Sequence, residues 1–517
     1  MLLRASRLLL VTALVSSAGS LGCTLEDGDA DGRSASKISP PPATTNGATT
    51  PAGNTPPVTD APGTNPDGTP AEGEPEPVPG VLSASYVDYA INHVLSTGQS
   101  NSVSNGGTPV LTTTQPFSNL MFDTGVMPMS SCDGDGCFGF QTPQGFSPLV
   151  EGDRFFDYPV ETASSGLANE VSSIAAQRYE FGSNAKHPAK HNVLVSLHGR
   201  SGNTYWCLRK GGCSYHPDAM VKPFTQAMME VQAAKQLADA AGLSYAVRAV
   251  TAVHGESDHY SYTSGSQEFP LPGSDGTPGK IKDYADALIE WQHDYETDAT
   301  AITGQKVGVP MFISQLSGWN DTRVSKLAQM QLDAHIRAPG KVILVAPGYA
   351  ISVREDCLHY DSNGQRQLGE YLAKAYAKTV FSGKAWEPLR PKTIARNGNV
   401  ITVKYLVPKA PLVIDTQRVS DPGNYGFDLV DDSGATPAIT GVSVSGPDTV
   451  TITLASAPTG AVKHLRYAQN QTIGSCIGPG TLYNGGARGN LHDSDDTPSN
   501  YGYDLSNWSV AFDMAVP

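Results

Sequence analysis

Between residues 81 and 385, short apolar segments alternate with segments of helical periodicity, and this alternation limits the fold more than any other feature. The apolar segments comprise residues 87–95, 193–197, 246–253, 311–313 and 342–345. Most are dense in Val, Ile and Leu, which is typical of parallel strands that are covered on both faces. The pattern predicts an α/β fold with a doubly wound parallel sheet, whose ligand sites lie beyond the carboxyl ends of the strands.

Two segments between or after these strands repeat apolar residues every three or four positions, which predicts helices with one buried face. The repeating residues are Tyr284, Leu288, Trp291 and Tyr295 in one segment and Leu368, Leu372 and Ala375 in the other. Helices at these places fit the expected covering of the sheet.

Residues 101–190 are rich in Gly, Ser, Thr and Pro, and we interpret them as a long insertion between the first two strands. Long insertions are usually functional, so this one is expected to form walls of a substrate cleft. Candidate lining residues are Phe122, Met127, Phe138, Phe140, Phe155 and Phe156. The alternative for each aromatic residue is simple packing of the insertion onto the domain.

The pattern changes after residue 385. Apolar and polar residues alternate with a period of two at 400–406 and 450–454, between turns rich in Gly, Pro, Asn and Asp. Residues 386–517 are therefore predicted to form an all-β module, such as a β-sandwich. We expect it to support the α/β domain rather than to bind sugar on its own.

Residues 1–23 have the layout of a bacterial secretion signal. Arg4 and Arg7 precede an apolar run that is too short to span a bilayer, and small residues then lead to Cys23. The string Ser20-Leu21-Gly22-Cys23 resembles a lipoprotein cleavage box, although such boxes usually carry an aliphatic residue in place of Ser20. We expect export with a lipid anchor on Cys23 in the cell envelope or at the cell surface; ordinary secretion is the alternative.

Residues 24–80 consist mainly of Pro, Thr, Gly, Ala and acidic residues, so they cannot bury enough apolar surface to offset the entropy of ordering. They are predicted to be a disordered tether, or else a removed pro-segment. The whole chain carries a net charge of −15, which argues against nucleic acid and anionic lipid as partners. Neutral sugars and ester groups are compatible with this charge.

The cysteines other than Cys23 form an even set, which in an exported protein predicts disulfide bonds. The simplest pairing joins Cys132 with Cys137, Cys207 with Cys213, and Cys357 with Cys476, although other pairings are open. No Cys-x-x-Cys spacing suggests zinc. The run Asp133-Gly134-Asp135-Gly136 is interpreted as a tight turn rather than a calcium loop, so neither a metal nor a cofactor is expected.

Two short strings carry the chemistry. Ser100, in Gly98-Gln99-Ser100-Asn101, follows the first predicted strand, where a serine is suited to act as a nucleophile. Asp356 and His359 lie three residues apart on one predicted loop, close enough for the carboxylate to orient the imidazole while it takes a proton from Ser100. Each residue alone is also explained as an ordinary turn, cap or loop residue.

Four strings follow successive strands: Gly98-Gln99-Ser100-Asn101, His198-Gly199-Arg200-Ser201-Gly202-Asn203, His254-Gly255-Glu256-Ser257-Asp258 and Asp356-Cys357-Leu358-His359. In this order they resemble the SGNH (GDSL-like) hydrolase superfamily, and in detail its sialate O-acetylesterase and carbohydrate acetylesterase branch. The resemblance covers about residues 85–385. It implies a flavodoxin-like three-layer sandwich for that region.

The resemblance also implies roles for individual residues. Ser100 would be the nucleophile and its amide an oxyanion donor, with His359 as general base oriented by Asp356. Gly202 would supply a second backbone donor, with Gly199 as the alternative. The third string departs from the family pattern, because many members carry Gln where His254 stands; a neutral His254 imidazole is the candidate third donor. Supporting hydrogen bonds are expected from Gln99, Asn101 and Glu256, whereas Asp258 and His259 are left outside the catalytic set.

The sequence therefore predicts an exported, metal-independent serine esterase that removes acetyl or other short acyl groups, with acylated carbohydrate as the substrate class implied by the resemblance. One alternative is an esterase or lipase for lipid or small aryl esters. Another is a polysaccharide-binding surface lipoprotein without turnover.

Overall fold

The apolar segments form the central strands of a mixed sheet. A computed structural model describes residues 80–130, 139–152, 159–183, 187–212, 221–264, 269–317, 324–469, 471–472 and 486–517. Within these residues the sheet has seven strands in the order β5-β2-β6-β1-β7-β8-β9. Its strands are β1 (Ile91–Gly98), β2 (Leu120–Phe122), β5 (Phe146–Pro148), β6 (Val193–Leu197), β7 (Tyr245–Val253), β8 (Met311–Gln315) and β9 (Val342–Pro347), while β3 (Met129–Ser130) and β4 (Gly139–Phe140) form a separate pair.

The five predicted strands are β1, β6, β7, β8 and β9, and each is confirmed within a few residues. All of them pair in parallel, and all of their residues are buried, which explains their continuous apolar sequences. The sheet is not wholly parallel, however, because the edge strand β5 runs antiparallel to β2. A short edge strand of this kind has too few residues to be recognised from periodicity.

Helices connect the parallel strands. They are α1 (Ala163–Tyr179), α2 (Tyr205–Leu208), α3 (Pro223–Ala240), α4 (Glu256–Ser264), α5 (Tyr284–Thr303), α6 (Lys326–Arg337) and α7 (Ser362–Tyr376), which continues into a π-helical turn at Ala377–Phe381. The predicted faces of α5 and α7 are confirmed, since their repeating residues are all buried. Helix α1 packs on α7, and α5 contacts both α3 and α6. Crossovers between parallel strands are right-handed as a rule, and from this rule and the strand order we infer that these two groups lie on opposite faces of the sheet.

Residues 101–190 contribute to the central sheet and to one of its covering helices. They supply the edge strands β2 and β5 and the crossover helix α1, whose small residues gave no apolar periodicity. Phe122 is fully buried and stacks on Phe146, with ring centroids 6.0 Å apart, and Met127 is also buried in the core. These two residues therefore pack the core rather than line a cleft, and Phe140 is half-buried; Phe138, Phe155 and Phe156 lie outside the described residues.

The C-terminal part is rich in antiparallel β-structure, as predicted. Its strands are β10 (Arg390–Asn397), β11 (Val400–Leu406), β12 (Val413–Ile414), β13 (Phe427–Asp431), β14 (Ile439–Gly446), β15 (Thr449–Leu454), β16 (Lys463–Tyr467), β17 (Gln471–Thr472), β18 (Gly486–Ala487), β19 (Leu491–His492) and β20 (Phe512–Ala515). Sheets β10-β11-β15-β14 and β13-β16-β20 are the larger ones among the described residues.

The β-rich part is packed closely against the α/β part, and the described residues from Gly80 to Pro517 belong to one compact unit. The side chain of Gln315, at the end of β8, exchanges hydrogen bonds of 2.9 and 2.7 Å with the backbone of Ala511. The indole of Trp386 donates to the carbonyl oxygen of Leu344 in β9. No helix among the described residues is long and apolar enough to span a membrane.

Candidate active site

Three of the four strings come directly after strands that are neighbours in the sheet. Gly98 ends β1, His198 follows β6 and His254 follows β7, and β1 lies between the other two strands. Parallel strands bring their carboxyl ends to the same edge of a sheet, so these three strings meet there. The strand order reverses between β1 and its neighbours, and such a switch point is where open α/β sheets bind ligands.

The fourth string forms a hairpin whose carboxylate holds the imidazole. His359 Nδ1 is 2.7 Å from Asp356 Oδ2, while Asp356 Oδ1 accepts hydrogen bonds from the backbone N–H groups of Leu358 and His359. Partial burial by itself would raise the pKa of Asp356, but the hydrogen bonds from His359 and Leu358 outweigh it and lower that pKa to about 2. The ionised carboxylate only accepts, so Nδ1 carries the hydrogen and Nε2 is left as the basic nitrogen.

Asn101, the residue that follows Ser100, connects this hairpin to the first string. Its Nδ2 donates to the carbonyl oxygen of Leu358 at 3.0 Å, and its Oδ1 accepts from the backbone N–H of Tyr360 at 3.0 Å. Because His359 lies between these two residues, the hydrogen bonds place the imidazole-bearing hairpin against the Ser100 turn. The structure thus brings together two strings that are far apart in sequence.

Ser100 itself is 7 % exposed, and His359 retains 21 % of its side-chain exposure. Within the described part of the chain, no hydrogen bond joins the Ser100 hydroxyl to His359. Hydrogen bonds between a nucleophile and its base are often long in the absence of substrate. The nucleophile–base contact therefore stays a prediction.

Two backbone N–H groups near Ser100 are available as donors. In the region that the structure describes, neither Ser100 N nor Gly202 N has a hydrogen-bond acceptor. Gly202 is exposed, has a φ of 69°, and faces open space where a side chain would be. Gly199 is different, because a Cβ there would lie 2.3 Å from Ser102 Oγ. Gly199 N also has no acceptor among the described residues, so the choice between Gly202 and Gly199 as an oxyanion donor stays a prediction.

Gln99 joins the first string to the third. Its Oε1 accepts a hydrogen bond of 2.9 Å from the backbone N–H of Ser257 and lies 3.5 Å from that of Gly255. These amides lie at the start of α4, where the first N–H groups of a helix have no partner within the helix. Gln99 therefore links the Ser100 turn to the start of α4, and its supporting role in catalysis stays a prediction.

Glu256 is buried beside Asn101 of the first string. Its Oε1 accepts a hydrogen bond of 3.1 Å from Asn101 Nδ2, and its Oε2 has no partner among the described residues. Burial raises the pKa of Glu256, an effect that the hydrogen bond from Asn101 and the nearby His359 only partly oppose. Glu256 thus binds Asn101, as the predicted supporting residue would, and its role stays a prediction.

His254 differs from its predicted role. Its Nε2 is 3.1 Å from the carbonyl oxygen of Asn203, and its Nδ1 is 2.6 Å from the hydroxyl of Tyr284. Since a carbonyl only accepts, Nε2 carries the hydrogen and Tyr284 donates to Nδ1. Burial lowers the pKa of His254 to about 4, so the ring is neutral with one N–H, and that N–H is already directed at Asn203. We therefore do not assign His254 to the oxyanion hole.

Asp258, which we left outside the catalytic set, also has a partner within the protein. Its Oδ2 accepts a hydrogen bond of 2.9 Å from the backbone N–H of Tyr205 and lies 3.2 Å from His254 Nε2. Burial raises the pKa of Asp258 to about 7. These contacts tie the start of α2 to the third string.

The structure describes only two of the cysteines for which we predict a role. Cys207 and Cys357 each take part in a disulfide bond. Cys23, Cys132, Cys137, Cys213 and Cys476 lie outside the described residues, so the pairing and the lipid attachment stay predictions.

Sequence reasoning missed Gly106 as a site residue. A Cβ at this position would lie 2.8 Å from His359 Cβ and 2.5 Å from the carbonyl oxygen of Tyr360. Only a residue without a side chain allows the Ser100 turn to approach the hairpin so closely. The Gly106-Gly107 pair in the sequence indicates a close approach of the backbone to another segment, but it does not indicate that this segment is the hairpin of His359.

No protein-family model and no curated protein matches the chain. Solved structures that are similar to it include a carbohydrate acetylesterase from Xanthomonas citri, with 13% identity, a TM-score of 0.46, and coverage of 82% of this chain and 80% of that one. A protein from Arabidopsis thaliana has 14% identity and a TM-score of 0.32 and covers 57% of this chain and 100% of its own. NanS has 12% identity and a TM-score of 0.33, with 56% and 98% covered.

Proposed function

We propose that this chain is a serine esterase that hydrolyses acetyl or other short acyl esters, with carbohydrate as the acyl-bearing group. The observation that carries the proposal is the Asp356–His359 pair, held by Asn101 against the turn that bears Ser100. The carbohydrate part comes from the resemblance of the four strings to carbohydrate acetylesterases.

In the proposed mechanism the Ser100 hydroxyl attacks the acyl carbonyl carbon and gives its proton to His359 Nε2. The carbonyl oxygen becomes an oxyanion that accepts hydrogen bonds from the N–H groups of Ser100 and Gly202, each worth about 3 kcal/mol of barrier. His359 then protonates the leaving sugar oxygen, which leaves the acyl group on Ser100. Water, deprotonated by His359, attacks this ester and releases the carboxylic acid and the serine.

The decisive test is hydrolysis by the Ser100→Ala protein. We expect this variant to lose at least about 10³-fold in kcat because the nucleophile is absent, with an unchanged circular dichroism spectrum. Ser102→Ala is the matched control, since Ser102 lies in the same turn but donates its hydroxyl to the Gln99 carbonyl oxygen. Undiminished turnover by Ser100→Ala would refute the mechanism.

The substrate class is tested with acetylated oligosaccharides and with p-nitrophenyl esters of increasing acyl length. Faster turnover of acetylated saccharides supports the proposal. A preference for long acyl chains supports the lipid or aryl esterase alternative. Absence of turnover on every ester, together with no labelling of Ser100 by a fluorophosphonate, supports the non-catalytic polysaccharide-binding alternative.

We also propose that the protein is exported and anchored through a lipid on Cys23. The support is the sequence of residues 1–23, which lie outside the described part of the chain. Metabolic labelling with palmitate in a bacterial host should mark the wild-type protein but not Cys23→Ala. Export of an unlabelled wild-type protein would instead support ordinary secretion.

A further inference from the structure

Asn101 makes more contacts with the rest of the site than its place beside Ser100 requires. Its side chain bonds to Leu358, Tyr360 and Glu256, and its carbonyl oxygen accepts from Gln365 Nε2 at 2.9 Å. The residue is 1 % exposed. Both its backbone and its side chain are therefore held in place, so Asn101 is suited to fix the position of the hairpin that it contacts.

The two contacts with the hairpin act on either side of His359. One reaches the carbonyl oxygen of Leu358 and the other the N–H of Tyr360, which is 259 residues away in sequence. Asp356 orients the ring within the hairpin, but it belongs to the same loop and cannot fix that loop relative to Ser100. In the described structure, Asn101 provides that link from the residue next to the nucleophile.

Glu256 reinforces the orientation of the Asn101 amide that the hairpin itself selects. The carboxyl Oε1 accepts from Nδ2, whose second hydrogen goes to the carbonyl oxygen of Leu358. Oδ1 is then left for the N–H of Tyr360, and a flipped amide would set an oxygen against both acceptors. Leu358 and Tyr360 together require this orientation, and the contact with Glu256 stabilises the amide in it.

We propose that Asn101 is a positioning residue that sets the distance between Ser100 and His359 through Leu358 and Tyr360, and that Glu256 stabilises its amide in the required orientation. This inference rests on the proposed function, because it assigns Asn101 a role in aligning the nucleophile with its base. Misplacing a catalytic group by about 1 Å costs roughly 100-fold in rate.

The test compares Asn101→Ala with Asn92→Ala. Asn92 is a buried asparagine at the opposite end of β1, and its Nδ2 donates to the carbonyl oxygens of Tyr89 and Asn192 at 3.0 and 3.1 Å. Both variants lose hydrogen bonds to two backbone groups, so both are expected to be less stable. Only Asn101→Ala should lower kcat, by about 100-fold with little change in KM. Equal kcat values for the two variants would overturn the inference.

Glu256→Gln provides the conservative variant. Its side-chain amide can still present an oxygen to Asn101 Nδ2, so most of kcat should remain. Glu256→Leu removes this acceptor but keeps both contacts of Asn101 with the hairpin, so it should lower kcat by less than Asn101→Ala does. Full activity of Glu256→Leu would remove Glu256 from the proposal.

A readout that does not need activity separates this inference from the proposed function. In Asn101→Ala, we expect shifted imidazole resonances of His359 and faster hydrogen exchange of the Tyr360 amide, neither of which should appear in Asn92→Ala. If the wild-type protein hydrolyses no ester, the proposed function fails and the alignment role fails with it, even when these signals change. If the wild-type protein is active and the signals stay unchanged, only the positioning role is wrong.

Discussion

At the scale of single residues, the protonation pattern of the Asp356–His359 pair determines what chemistry is available. The carboxylate accepts from the imidazole and from two backbone N–H groups, which keeps it ionised over the whole ordinary pH range. It therefore selects the tautomer with Nε2 unprotonated. A general base requires this tautomer.

Replacing Asp356 by Asn should disturb this tautomer without changing the shape of the hairpin. We expect kcat to fall by about 10²- to 10⁴-fold with a small change in KM, because the amide can present a hydrogen to the imidazole and select the wrong tautomer. Glu355→Gln is the control, since Glu355 is the adjacent exposed carboxylate. Steady-state kinetics that show equal rates for both variants would contradict the assignment of Asp356.

At the scale of elements, the contact between α1 and α7 depends on two glycines. A Cβ at Gly166 would lie 2.3 Å from the carbonyl oxygen of Arg366, and one at Gly369 would lie 2.4 Å from that of Ala163. The helices thus approach each other with backbone against backbone. Helix α7 begins at Ser362, just after the hairpin that carries His359, so this contact also supports the site.

Gly369→Ala should therefore destabilise the protein even though alanine favours helices more than glycine does. We expect a loss of about 1–3 kcal/mol in the free energy of unfolding, because the clash involves backbone atoms that cannot rotate away. Gly441→Ala, at a β14 position with nothing within 4 Å of the added Cβ, should change stability little. Urea denaturation of both variants measures the difference; similar midpoints would mean that the helices separate easily.

At the scale of the whole molecule, two carboxyl groups fasten the C-terminal chain to the α/β part. Glu170 in α1 accepts from Asn500 Nδ2 at 2.7 Å, and Glu370 in α7 accepts from Asn500 N at 2.8 Å. Burial, reinforced by Glu370, raises the pKa of Glu170 to about 8, and burial raises that of Glu370 to about 7. In the folded state both groups thus hold protons that an unfolded chain would release at lower pH.

The contribution of these two groups to stability should consequently fall as pH rises from about 4.5 towards 8. In this window Glu170 and Glu370 bind more protons in the folded protein than in the unfolded chain, so their share of the free energy of unfolding decreases with pH. Glu170→Gln should flatten the dependence, whereas Glu180→Gln, an exposed glutamate after the same helix, should not. Urea midpoints at pH 5 and pH 8 measure this. Parallel curves for wild type and Glu170→Gln would contradict the raised pKa.

Local pattern was enough to predict several parts of this protein. The strands β6 and β11 have the predicted boundaries. The buried faces of α5 and α7 follow from helical periodicity, because an element with one buried side repeats apolar residues at a fixed spacing along the sequence. The Asp356–His359 contact was predictable for the same reason, because two residues that are three positions apart in one turn cannot lie far from each other.

Tertiary structure decided the features that depend on a distant partner. Helix α1 escaped prediction because its small residues serve contact with α7 instead of an apolar stripe, and His254 was misassigned because Asn203 and Tyr284 occupy its nitrogens. Likewise, nothing within the first string indicates that Asn101 reaches the hairpin around His359. Sequence periodicity records which side of an element is buried, but the identity of the neighbour is set only when the whole sheet and its loops are packed.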